Sequence, residues 1–134
     1  MQSLIVVVLG NVFLLAALLV LQVVVRISNA GLKYALGNFD AYKHEGAFAD
    51  RLLRVKNNQI ETLALIVPTT LAAANAHLSH PFLSVAASSF LFARLAYSGI
   101  ALAGIPVLRS VTWSVGFAAW AYIAWITLQA IAIA

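Results

Sequence analysis

The feature that most constrains this chain is the stretch at residues 4–25, "LIVVVLGNVFLLAALLVLQVVV", whose apolar character is almost unbroken. A hydrophobic segment of about 20 residues matches the thickness of a bilayer core. The residues before it lack the basic start of a signal peptide, and the run exceeds such a peptide's apolar region. It therefore reads as a retained first helix. A soluble fold would have to bury that helix on every side. The chain has 134 residues, 63% of them hydrophobic and 9% charged, and a mean hydropathy of +0.98. A domain of this size has too much surface for its volume to hide so much apolar area from water. The fold class that follows is all-α, an integral membrane protein with a single transmembrane domain over residues 1–134.

Helices are predicted at residues 3–29, 47–76, 82–103 and 106–133. "GLKYALGNFDAYKHEG" forms a polar first connection, while "HLSHP" and "GIP" are short second and third ones. Short connections imply antiparallel neighbours, hence a four-helix up-down bundle. Lys33, Lys43, Arg51, Arg54 and Lys56 flank the first connection and Arg109 lies beside the third. The second has no Lys or Arg, so the first and third are expected to face the cytoplasm. Pro68 removes one backbone donor and frees the carbonyl of Ala64, which Thr69 or Thr70 is placed to offset. Ala86, Ser89 and Ala93 would let neighbouring helices approach closely.

The chain contains no cysteine. Disulfides and thiolate metal sites are excluded, and any thiol chemistry must use a thiol brought by a substrate. His77 and His80 have no carboxylate near them and read as interfacial polar residues, so no metal site is expected. The net charge of +4 fits cations at one membrane face and does not suggest nucleic acid.

"RLLRVKNNQIE" at residues 51–61 carries much of the charge. At 100° per residue, Arg51, Arg54, Asn58 and Glu61 fall within roughly 80° of each other, a stripe about 15 Å long. Lys56 points to nearly the opposite side, toward lipid headgroups. A basic collar for anionic lipid would scatter its charges around the helix. This stripe is one-sided and holds Glu61 deeper than its cations. Three further cations reach the same leaflet. Arg26 ends helix 1, on the face of Gln22 and Asn11. Arg94 lies inside helix 3 and reads as a buried partner of Glu61 or of a carbonyl. Arg109 opens helix 4. Ionisable groups inside a span are costly and are functional candidates by default. Arginine forks suit carboxylates, while Asn58 and Glu61 suit an amide and an ammonium. The implied ligand is a small zwitterionic peptide bound between helices.

Pro106 suits the first position of helix 4, whose N-terminus presents free N–H groups and partial positive charge. With Arg109 and Ser110 beside it, this setting lowers a thiol pKa from its free value of about 8.5. Trp113, Trp120, Tyr122 and Trp125 serve as packing and interface anchors. Trp113, just past "RSVT", could additionally line the pocket.

Three segments, "RLLRVKNNQIE", "FARLAYSG" and "IPVLRSVTW", resemble the MAPEG family of membrane proteins in eicosanoid and glutathione metabolism. They are similar to that family's R-x-x-x-N-x-x-E core, its helix-3 arginine and its R-S-V-T segment. The resemblance implies a homotrimer with glutathione bound between subunits at the cytoplasmic side. By motif position Arg54, Asn58 and Glu61 would hold glutathione, with Arg26 assisting. Arg109 would stabilise the thiolate, and Ser110 could donate a hydrogen bond to it. A lipophilic cosubstrate would arrive from the bilayer, for conjugation, peroxide reduction or isomerisation. The membrane would be a bacterial inner membrane or the endoplasmic reticulum. Asn57, Tyr97 and Ala101 stand where some members carry arginine, histidine and tyrosine. Two alternatives remain: a non-catalytic lipid-binding scaffold, and a small four-span multidrug-type transporter. The transporter characteristically has a carboxylate in helix 1, which is absent from residues 4–25.

Overall fold

The computed structural model describes residues 1–37 and 46–133. Among them the helices are α1 (Gln2–Ala30), α2 (Leu32–Ala35), α3 (Ala47–Asn75), α4 (Leu83–Ala103) and α5 (Pro106–Ile133). The four long helices begin and end within about one residue of the expected bounds, inside the usual fraying of helix ends. The added turn α2 occupies the start of the first connection. Residues 38–45 of that connection, Lys43 included, lie outside the described residues.

Among the described residues, three helices are long and apolar enough to cross a membrane: α1, α4 and α5. α3 has the length, at 29 residues, but Asp50, Arg51, Arg54, Lys56 and Glu61 make its first half polar. Much of the outer surface is apolar, with Phe13 72% and Val107 76% exposed. Water would penalise such a surface; lipid does not.

The helix ends explain the sharp connections. Past α3, His77 N–H bonds to Ala74 O at 3.1 Å and Leu78 N–H to Ala73 O at 2.9 Å, with His77 at φ 48. α4 closes alike, through Gly104 N–H to Ala101 O at 3.2 Å and Ile105 N–H to Ile100 O at 3.2 Å. These paired bonds cover carbonyls that the helix leaves open, and they need a left-handed residue after the last turn. Gly104, at φ 84, meets that need without strain.

Hydrogen bonds give the helix directions. Gln59 Nε2 donates to Asn11 Oδ1 at 2.8 Å and Lys56 Nζ to Gln22 Oε1 at 3.1 Å. Ascending α1 means descending α3, so the two run antiparallel. The Lys56 bond corrects the sequence expectation of a side chain reaching for headgroups: Gln22 on α1 offers an acceptor within reach. Arg94 to Asn58 and Arg51 to Leu102 set α3 and α4 antiparallel by the same logic.

Two apolar clusters form the interior. Leu4, Val7, Ile66, Phe90, Ile123 and Ile126 belong to one; Leu18, Leu52, Val55, Tyr97 and Ala101 belong to the other. Small residues let α4 meet α5, where Ala93 Cβ comes within 3.5 Å of the position a Cβ on Gly116 would take. Ala86 and Ala93 are buried as expected, whereas Ser89 faces outward. α3 continues through Pro68. Thr69 Oγ1 donates to Leu65 O at 2.8 Å, not to Ala64 O, and accepts Trp120 Nε1–H at 3.0 Å.

Candidate functional site

α3 and the α4–α5 junction enclose a cavity of about 240 Å³. Arg51 and Arg54 enter it from α3, Tyr97 and Ala101 from α4, and Arg109 from the first turn of α5. Their convergence follows from local structure. Arg51 and Arg54 are three residues apart and share a helix face. The Gly104 turn folds α5 back at once, which brings Arg109 opposite them.

The three guanidiniums are not equivalent. Arg51 Nε–H donates to Leu102 O at 2.9 Å. That carbonyl is one of those in the last turn of α4 that the paired turn bonds leave open, and a cation there also meets the negative end of the helix dipole. Arg51 Cζ lies 3.5 Å from the site a Gly104 Cβ would fill and 5.9 Å from the Phe48 ring centroid. Arg51 thus closes α4 with its Nε while the residue also lines the cavity. Arg54 and Arg109 are exposed, and neither has a hydrogen-bond or ion-pair partner among the described residues. Asp50 lines the same cavity.

A second cavity, of about 100 Å³, opens further along α3. Asn58 and Glu61 line it with Arg94, and the rings of Phe90, Trp113, Phe117 and Trp120 complete it. Trp113 and Phe117 stack with centroids 5.3 Å apart and planes 9° from parallel. The stripe read from the sequence therefore divides: Arg51 and Arg54 serve one cavity, Asn58 and Glu61 its neighbour.

Behind both cavities lies a buried polar layer. Arg94 is 3% exposed. Its Nη2 donates to Asn58 Oδ1 at 2.7 Å and to Gln59 Oε1 at 3.2 Å, and its guanidinium lies 4.7 Å from the Tyr97 ring centroid. Gln59, fully buried, passes the network to Asn11, whose Nδ2 donates to Val7 O at 2.8 Å. Among the described residues Glu61 is reached only through Asn58, whose Nδ2 donates to its Oε2 at 3.4 Å. Arg94 thus finds amide oxygens where the sequence suggested the carboxylate or a carbonyl.

Ser110 lines neither cavity. It is exposed, and its Oγ–H goes to Pro106 O at 3.2 Å. Arg26 is half-buried at the end of α1, lines neither cavity and is engaged within the chain. Sequence reasoning overlooked Gln59 and Asp50. For Gln59 the signal was available: it is a polar residue at mid-depth, as Asn11 is. Asp50 stands four residues before Arg54, hence on the same helix face.

A family model described as MAPEG family matches residues 4–129. No curated protein and no solved structure gives a significant match.

Proposed function

This chain belongs to the MAPEG family, and from that premise we propose that it is a membrane-bound glutathione transferase or peroxidase, activating the glutathione thiol against lipophilic electrophiles or hydroperoxides. The observation that carries this reading is the convergence of Arg51 and Arg54 with Arg109 on one cavity. Arginine forks from α3 suit the carboxylates of the tripeptide. Arg109, in the first turn of α5, combines a permanent cation with the positive end of a helix, a setting that favours thiolate over thiol. The sulfur then attacks an electrophilic carbon, forming a C–S bond, while a leaving group departs with its electron pair and the thiol proton passes to water.

Asn58 and Glu61, one and two turns beyond Arg54, extend the binding surface toward the second cavity. There the Trp113 and Phe117 rings offer an apolar seat for the cosubstrate arriving from lipid. Tyr97 packs the cavity floor. Ser110 contributes by turning its hydroxyl from Pro106 O to the sulfur. In this reading all four long helices span the bilayer as an up-down bundle, with the cavity toward the cytoplasm. The chain assembles as a homotrimer, so that α1 of an adjacent copy, with Arg26, covers the open side. The membrane is a bacterial inner membrane or the endoplasmic reticulum.

One observation favours the second reading, a non-catalytic lipid-binding scaffold: Ala101 places a methyl group in the cavity, where some relatives offer a phenol. Glutathione-dependent turnover of a chromogenic aryl halide by the purified protein in lipid nanodiscs separates the two. The transferase reading expects turnover that saturates with glutathione. Absence of turnover, together with no thermal stabilisation by glutathione, overturns it.

A further inference from the structure

An asparagine at a binding surface is a donor or an acceptor according to which way its amide is turned. Asn58 lines the second cavity, and its orientation is decided from behind. A guanidinium donates and never accepts, so the Asn58 atom that takes the Arg94 Nη2 proton at 2.7 Å is the oxygen. The Nδ2 end is thereby turned to Glu61, at 3.4 Å. Arg94 is held in its turn by Gln59, whose Oε1 accepts from the same Nη2 at 3.2 Å, while Arg94 Nε is buried with no hydrogen-bond partner among the described residues. Gln59 is fixed independently. Its Nε2 donates to Asn11 O at 3.1 Å and to Asn11 Oδ1 at 2.8 Å. A backbone carbonyl can only accept, so the nitrogen faces α1 and Oε1 faces Arg94. Each group in the row is oriented by the one before it, and Gln59 near its head is fully buried and lines neither cavity.

We propose that Gln59 is a positioning residue for the binding surface: it pins Arg94, and Arg94 keeps Asn58 turned with its Nδ2–H toward the ligand. The proposal rests on the glutathione reading above, because the oxygens of a bound tripeptide are what an aimed donor serves. The plain alternative is a structural part alone. Gln59 ties α3 to α1 through Asn11, and a buried amide with its bonds made supports helix pairing. The two parts use different ends of one side chain. Donation from Nε2 joins the helices; acceptance at Oε1 holds Arg94. Without that acceptor one Nη2 proton has no partner and the guanidinium is free to swing about its stem. The Asn58 amide can then turn over and present its oxygen, which repels a carboxylate or carbonyl of the ligand.

The test separates the two ends. Gln59→Met keeps the length of the side chain and removes both. Asn11→Leu removes Oδ1 but leaves Asn11 O to hold Nε2, so Gln59 keeps its direction. Each protein, in nanodiscs, is measured by thermal unfolding, by calorimetric titration with glutathione, and by the side-chain amide NMR signals of isotope-labelled asparagine, with Asn58 assigned by its absence in Asn58→Ala. Both variants are expected to melt below wild type. Gln59→Met alone should weaken glutathione about tenfold, the scale of one misdirected hydrogen bond, and alone should displace the Asn58 amide signals. Asn11→Leu should keep those signals and bind within about twofold of wild type. Gln59→Glu keeps an oxygen toward Arg94 and gives up the donors to Asn11, so it reads the same split even if Gln59→Met does not fold: lower melting, with affinity within about threefold. Affinity that falls with stability in every variant leaves Gln59 a structural part only and overturns the proposal. Asn58 signals or affinity unmoved by Gln59→Met overturn it as well, while wild-type binding keeps the glutathione reading in place. No binding of glutathione by wild type overturns both.

Discussion

The arginine cavity and the polar layer behind it are about one helical turn apart on α3, Arg54 to Asn58. In the layer, Arg94 is 3% exposed and gives its Nη2 protons to Asn58 and Gln59. In the cavity, Arg54 and Arg109 are exposed and unpartnered among the described residues. The same kind of side chain, in neighbouring parts of the same chain, thus holds helices together in one region and stands available to a ligand in the other. A guanidinium inside a span signals a binding site only where the fold leaves its donors unused. Arg51 is intermediate, with one donor closing α4 and no further hydrogen-bond partner among the described residues.

The comparison breaks first at Arg94. Arg94→Ala strips Asn58 Oδ1 and Gln59 Oε1 of their donor in a low-dielectric interior and opens a cavity between α3 and α4. Removing one partner from a buried charged network costs about 3–5 kcal/mol. Unfolding in detergent should register a loss of that size. A change below about 1 kcal/mol would mean that water already satisfies the layer.

Arg109→Ala tests the opposite case. Stability should stay within about 0.5 kcal/mol of wild type, as for exposed side chains generally. Thiol-dependent turnover should fall by about 10²–10³, the effect of deleting one preorganised charge-stabilising donor. Unchanged turnover in the folded variant would remove Arg109 from the chemistry.

How far the sequence carried this reading differs between the two regions. Helix bounds were legible because bilayer crossing demands long apolar runs, and "HLSHP" and "GIP" interrupt them. The arginine cavity was legible in part: Arg51, Arg54 and Arg109 stood out because charge inside a span is rare. The polar layer was not. Gln59 is off the stripe of Arg51, Arg54, Asn58 and Glu61, and helix periodicity cannot say that it meets Asn11 across a neighbouring helix. Nor could it foresee that Asn58 and Glu61 would face a different cavity from Arg54. That division depends on how Trp113 and Phe117 of α5 lean across α3, a matter of tertiary packing.

Gly104→Ala probes the intermediate case. Its φ of 84 disfavours any residue with a Cβ, at about 1 kcal/mol. The new methyl would also touch Arg51 Cζ and Nη1, each 3.5 Å away, an ordinary contact that needs no further displacement. A stability loss near that figure, with Arg51 still bonded to Leu102 O and ligand affinity within about twofold, fits Arg51 as an end-closing residue first. A larger loss of affinity would move Arg51 into the company of Arg54 and Arg109.

The smallest effect is expected at Lys56, and it distinguishes an internal partner from a lipid one. Its Nζ donates to Gln22 Oε1 at 3.1 Å while the residue as a whole is half-buried. Lys56→Met keeps the apolar stem packed between α1 and α3 and removes one hydrogen bond at a level where Gln22 can be rehydrated. The loss should be about 1 kcal/mol. It should be the same in nanodiscs of neutral and of anionic lipid, because the partner is an amide of the chain itself. A headgroup tether would behave otherwise, with the loss growing as anionic lipid is added and shrinking as salt screens it. Such a dependence would return Lys56 to the membrane surface and dissolve the α1–α3 link at this level.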